Sequence, residues 1–137
     1  MTKRGMKWAG VVATVLVGMT AWAGAKVSYQ VGFSFGSNGW GAASASLGST
    51  RNSANSVERI GCSVYSYGPG IGGGELMHCS ATDRSGTFVN CYTRDPTLVN
   101  AARGLDGDSE LEFQWNAAGD CIFLRVTDDS EAEPKLP

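Results

Sequence analysis

Four cysteines, Cys62, Cys79, Cys91 and Cys121, constrain this chain more than any other feature. All four follow an N-terminal segment with the three-part layout of a secretory signal. Lys3, Arg4 and Lys7 supply its positive start, and Val11, Val12, Val15, Leu16, Val17 and Met19 form its apolar centre. Ala21-Trp22-Ala23 and Ala23-Gly24-Ala25 each fit the small-x-small pattern before a cleavage site. The apolar run from Trp8 to Trp22 is diluted by Gly10 and Gly18 and falls short of the roughly 20 residues a membrane span needs. Residues 1–25 therefore read as a signal peptide of bacterial style, cleaved after Ala23 or Ala25, which leaves no membrane span in the mature form. An even cysteine count behind an export signal predicts two disulfides. A zinc site is disfavoured, because no two cysteines stand two residues apart and His78 is the only histidine.

Cleavage would remove three of the eleven basic residues and none of the thirteen acidic ones. The mature chain then carries eight basic against thirteen acidic residues, a net charge of about −5 in place of −2. With no basic patch to release counterions, nucleic acid is excluded as a partner, and so is an anionic membrane. The remaining length suits one domain, 26–127, followed by an acidic, proline-containing stretch at 128–137 that is expected to be flexible.

Along that domain the apolar pattern is mostly period two. Val27, Tyr29, Val31, Phe33 and Phe35 alternate with small or polar residues, which predicts a strand over 26–35. Ala43, Ala45 and Leu47 alternate in the same way, with side chains small enough for a neighbour to approach the backbone; a short helix is an alternative there. A polar link (Asn52, Ser53, Asn55, Ser56) leads to a strand over 57–67, with Ile60, Cys62 and Val64 on one face and Tyr65 and Tyr67 on the other. The glycine-rich stretch 68–74 is a mobile hairpin loop. Strands 75–82 and 87–93 flank Asp83-Arg84-Ser85-Gly86, a type I turn closed by glycine. Asp95 followed by Pro96 starts a short helix near 96–104. Strands 110–116 and 120–127 form a last hairpin around Asn116–Gly119. The second of them is apolar on both faces, which places it mid-sheet or beneath a helix. The expected fold is all-β or β-rich α+β: an antiparallel sandwich or bent sheet of about seven strands, one short helix and two disulfides.

The turn through Gly86 sets Cys79 directly opposite Cys91, at a hydrogen-bonded pair. Side chains diverge at such a site, and the 68–74 loop brings Cys62 to the other flank of Cys79. This favours Cys62–Cys79 with Cys91–Cys121. Cys79–Cys91 with Cys62–Cys121 is the second choice.

No convincing catalytic set is present, so an enzyme is not expected. A Ser-His-Asp triad would have to use His78, which should point away from the Cys79 face. The strongest acidic constellation is Asp106, Asp108, Glu110 and Glu112, which a strand would place on one face as a weak candidate calcium site. No other cofactor is implied. Trp40, Tyr65, Tyr67 and Tyr92 are the candidate ligand face, since aromatics on a rigid sheet stack on ring faces and offer hydroxyls. These features leave three functional classes. The favoured one is an exported non-enzymatic binding or surface protein, in the medium, the periplasm or at the cell surface. Its partner would be a glycan, an envelope component or an extracellular protein. The second is a secreted inhibitor of a protease or lytic enzyme, using the 68–74 loop. The third is a small secreted hydrolase using the clustered carboxylates.

Overall fold

The computed structural model describes residues 26–132, 134, 136 and 137. The predicted signal peptide, residues 1–25, lies outside them.

Seven strands form two antiparallel sheets. The first has the order β1 (Gly32–Phe35), β2 (Gly41–Ser46), β6 (Glu110–Trp115), β7 (Cys121–Thr127). The second has the order β3 (Arg59–Tyr67), β4 (Gly74–Thr82), β5 (Phe88–Thr93). Two short helices make the crossings between sheets: α1 (Leu47–Asn52) after β2 and α2 (Pro96–Ala102) after β5.

The two tight hairpins share one device. Asp83 Oδ1 accepts from the Ser85 and Thr87 amides, both at 2.9 Å, and Gly86 takes a φ of 87°. Asn116 Oδ1 accepts from Ala118 at 2.9 Å and Asp120 at 3.0 Å, and Gly119 takes a φ of 85°. In each, a short polar side chain satisfies the turn amides and glycine occupies the left-handed position without a Cβ clash. Asp95 caps α2 by accepting from Thr97 (2.8 Å) and Leu98 (3.3 Å), with Pro96 at the first helical position.

One core serves both sheets. β2, β6 and β7 contribute Ala43, Ala45, Leu111, Phe113, Trp115, Cys121 and Leu124; β3, β4 and β5 contribute Ile60, Met77, Cys79, Ala81 and Cys91; α2 adds Val99 and Ala102. The small residues of β2 have a clear use: the Trp115 indole lies on Gly41, where an added Cβ would come within 2.2 Å of its Cζ2.

Both disulfides follow the favoured pairing. Cys62–Cys79 bridges directly opposed residues of β3 and β4, with Cα atoms 4.0 Å apart. Cys91–Cys121 ties β5 to β7 and so joins the two sheets, with Cα atoms 5.0 Å apart. A backbone bond from Tyr92 N to Gly119 O (3.2 Å) and a parallel bridge between Tyr92 and Asp120 reinforce that corner.

The elements differ from the sequence pattern in three places. The β1–β2 ladder runs only from Gly32 onward, and a single further bond, Ser46 N to Tyr29 O (3.0 Å), joins the upstream segment to the end of β2 before α1 begins. Upstream residues find other partners: Val31 N donates to Glu58 Oε1 (2.7 Å), Tyr29 N to Ser49 Oγ (3.2 Å), and Val27 N to Glu131 O (3.0 Å). α1 forms where β2 was expected to continue and a polar link to follow. Ser46 caps it, accepting from Ser49 N at 3.3 Å. β7 is the last strand of its sheet and lies against α2, the second of its two expected placements. It differs in that a register shift at Gln114/Trp115 leaves Ile122 and Phe123 exposed. Beyond Thr127, Ala132 is buried, and the Pro134 carbonyl and Leu136 amide bond to the Asn52 side chain.

Glu58 is the buried polar node of the fold. Oε1 accepts from Val31, while Oε2 accepts from Ser53 Oγ at 2.8 Å and Arg84 Nε at 3.2 Å. Burial alone would raise its pKa. The bonds from Val31, Ser53 and Arg84 outweigh burial and hold it below the usual glutamate value.

Candidate binding face

Alternation along the second sheet sorts its side chains into two sets. Ile60, Cys62 and Val64 stand opposite Ala81, Cys79 and Met77 and face the core. The other set is Gly61, Ser63, Tyr65 and Tyr67 on β3, Leu76, His78 and Ser80 on β4, and Phe88, Asn90 and Tyr92 on β5. Tyr65, Phe88 and Tyr92 on this second face are 47%, 53% and 46% exposed. Among the described residues no helix or strand closes over them as the core closes over the first face.

The face is organised by contacts between neighbouring strands. His78 and Tyr92 are cross-strand partners, their rings stacked at 4.4 Å with 13° between planes. Asn90 Nδ2 donates to the Tyr92 hydroxyl at 3.2 Å. The Arg94 guanidinium sits 5.8 Å from the Tyr67 ring centroid, a cation–π contact. A shallow cleft of about 390 Å³, lined by Leu76, Tyr92, Thr93, Arg94 and Asp120, borders the stacked pair. One ring face each of Tyr67 and Tyr92 is thus engaged within the protein. The sheet offers outward exposed rings, hydroxyls and small polar side chains. Its alternating positions from Gly61 to Tyr67, Leu76 to Ser80 and Phe88 to Tyr92 include no carboxylate.

Three of the four aromatics proposed from sequence, Tyr65, Tyr67 and Tyr92, share this face. Trp40 does not. It lies in the β1–β2 turn of the other sheet, over Gly36, where a Cβ would fall 2.0 Å from its Nε1. His78, Asn90, Phe88 and Arg94 belong to the face and were not named for it. Parity with Tyr92 across the Gly86 hairpin is the sequence signal that could have found His78 and Asn90. His78 does point away from the Cys79 side, and its Nε2 is enclosed with no hydrogen-bond partner among the described residues.

The acidic constellation is divided between a turn and a strand. Asp106 Oδ1 accepts from the Asp108 amide (2.8 Å) and the Ser109 amide (3.0 Å), so Asp106 and Asp108 lie in the turn that precedes β6. Glu110 and Glu112 alternate on the outer face of β6, where Glu112 pairs with Arg125 at 2.9 Å. Among the described residues no three His, Cys, Asp or Glu side chains are grouped to hold a metal ion. Glu110 edges a cleft of about 270 Å³ with Tyr29, Gln30, Ser44 and Arg125. Burial first, then the Asp129 and Glu131 carboxylates, raise its pKa against the opposing pull of Arg125.

No family model matches the chain, and neither a curated protein nor a solved structure is similar to it.

Proposed function

We propose that the chain is an exported, non-enzymatic binding domain whose contact surface is the open face of β3, β4 and β5. One observation carries the reading: Tyr65, Tyr67, His78 and Tyr92 gather on a single sheet face whose alternating strand positions carry no carboxylate, in an otherwise acidic domain. Tyr, Arg, Asn and Ser on a rigid support are the composition of protein-contact surfaces, because Tyr brings large area at low entropy cost. Ring contacts within the protein take one face each of Tyr67 and Tyr92, and the mix of hydroxyls, amide and guanidinium around them suits an extracellular or envelope protein as the partner. The reading also rests on the export signal at residues 1–25 and on the two disulfides. Immobilised oxidised protein should retain a component of the envelope or secreted protein fraction, and a Tyr65→Ala/Tyr92→Ala variant should not. Retention by both alike, or capture of nothing but glycans, would overturn it.

A second reading has one observation in its favour. The 68–74 loop contains a 3-10 turn, Pro69–Ile71, held by bonds from Ile71 N and Gly73 N to Gly68 O, both at 3.1 Å. It presents Ile71 at 73% exposure. An exposed apolar side chain on a pre-shaped loop suits a secreted inhibitor. Inhibition of a protease or lytic enzyme that Ile71→Ala abolishes would support this reading over the first.

A further inference from the structure

The free edge of β3 is an unguarded pairing site, and we propose that a second copy of this chain occupies it. In the second sheet β4 is central, and β5 is tied to the other sheet at one end by the Tyr92–Gly119 bond. Among the described residues the outer edge of β3 has no such bond along its length. The register shows which groups it presents. The Asp83–Thr87 backbone bond makes Cys79–Cys91 a hydrogen-bonded pair by alternation. Cys79 therefore directs its N–H and C=O to β5, and Cys62–Cys79 is the non-hydrogen-bonded kind. The 4.0 Å separation of those two Cα atoms agrees. It follows that Cys62, Val64 and Ser66 turn their N–H and C=O outward. Among the described residues no further backbone or side-chain partner is found for those groups.

Natural sheet edges are protected by charge, proline, bulges or shortness. Over its open part, Ser63–Tyr67 of a 9-residue strand, β3 carries no charge, proline or bulge, and it pairs with β4 without a register shift. No charged residue occurs from Ile60 to Gly74. In the first sheet the edge strand β1 is only 4 residues long, and its upstream extension is covered by Glu58, Ser49 and the C-terminal stretch; the other edge strand, β7, carries Arg125, a register shift and α2 packed against it. The Cys62–Cys79 bridge pins β3 to the centre of its sheet, so little order has to be gained when a partner strand arrives.

The occupant is argued from charge and symmetry. Two copies of a domain with net charge near −5 can approach with least repulsion along an uncharged strand. Leu47 and Arg51 of α1 flank Ile60, Gly61 and Cys62, which leaves Ser63–Tyr67 as the open stretch. An antiparallel two-fold through its middle sets Tyr65 opposite Tyr65 and Ser63 opposite Tyr67. Val64 of each copy then exchanges backbone bonds with Ser66 of the other. That register uses the outward groups and places an aromatic cross-strand pair on the axis. The product is a six-stranded sheet with one continuous outer face.

Sedimentation of the purified, disulfide-bonded protein over a concentration series tests this, with amide exchange read at Val64 and Ser66. A monomer–dimer equilibrium is expected, with both amides gaining protection as dimer forms. Ser66→Pro removes an outward N–H while sparing the β4 ladder and should weaken association about tenfold or more. Ser63→Lys adds the charge that edges commonly carry and should do the same with less demand on the backbone. A monomer at every concentration, or a dimer indifferent to both variants, would overturn the proposal. So would protection that appears only with an added extended peptide. The outcome is separable from the binding reading when retention is measured with Tyr92→Ala alone, because Tyr92 lies on β5 away from this edge whereas Tyr65 lies on the axis.

Discussion

The two sheets are stabilised differently. The first fills its inner face with bulk: Leu111 and Phe113 are almost wholly buried, and Trp115 lies on the bare backbone of Gly41. Its outer face is a conventional charged one, with Glu112 paired to Arg125. The second sheet has a thinner inner face, in which Met77 is joined by Ala81, Cys79 and Cys91. Both disulfides end on it. Its outer face keeps tyrosines in solvent where the first sheet keeps carboxylates. A sheet held covalently needs less apolar bulk behind it and can leave its outer face for contacts.

Core truncation gives the sharpest contrast. Phe113→Ala should cost about 4 kcal/mol and Met77→Ala about 2 kcal/mol in chemical denaturation, since the flexible thioether leaves a site that recloses more easily. Equal losses would break the claim that the sheets differ in how they are held.

The disulfides sharpen it from the other side. Their sequence separations are 30 for Cys91–Cys121 and 17 for Cys62–Cys79. Loop-closure entropy then predicts losses of about 3.6 and about 3.1 kcal/mol for the paired alanine variants. The first should also loosen the corner, seen as faster amide exchange at Tyr92, whose N–H bonds to Gly119 across it. Unchanged exchange there would mean that backbone pairing alone holds the sheets together.

Glu58 joins the two regions, since it binds Val31 ahead of β1 and Arg84 in the β4–β5 turn. Glu58→Ala should cost about 3 kcal/mol at neutral pH, because it strands a buried amide. A carboxylate whose folded pKa lies below its unfolded value stabilises the fold above the unfolded value. That stability is lost as pH falls from 4.5 through the lowered folded value. Wild-type stability should therefore decline in that window more steeply than that of Glu58→Gln. Glu110 has the opposite sign: its pKa is raised, so it favours the fold at low pH, and Glu110→Gln should leave neutral-pH stability unchanged or slightly higher.

What the sequence revealed depended on whether a local rule or a distant partner decided the outcome. Both hairpins were legible because Asp83 and Asn116 satisfy their own turns and a glycine follows three residues on. The favoured disulfide pairing was legible because turn register and pair type make Cys79–Cys91 the poorer site for a bridge, although they left it open as the second choice. α1 was not, since Leu47–Asn52 has no apolar stripe and depends on a cap from Ser46 and on its place in the crossing. The strand over 26–35 was half right. Its alternation is real, but a ladder needs a partner, and β2 ends before the pattern does. The acidic run fared similarly: alternation continues through Asp106 and Asp108, but Asp106 makes a turn with Ser109, so only Glu110 and Glu112 share the strand. The aromatic face was legible for residues of β3 and β5 that share parity. Trp40, which belongs to the other sheet, was included because composition alone cannot separate two sheets.

The smallest expected effect on stability is the most informative about the contrast. Tyr65 and Tyr92 are almost half exposed, and neither touches Phe113 or Met77 across the sheet plane. If the second sheet is held by its bridges and inner face, Tyr65→Ala should change stability by less than about 0.5 kcal/mol, as surface substitutions do. Tyr92→Ala should cost somewhat more, roughly 0.5–1 kcal/mol, because it also ends the stack with His78. The double variant should then fold and melt almost as the wild type does while losing retention of the proposed partner. A loss of several kcal/mol would mean that the tyrosines brace the sheet, and the covalent staples would not suffice without them.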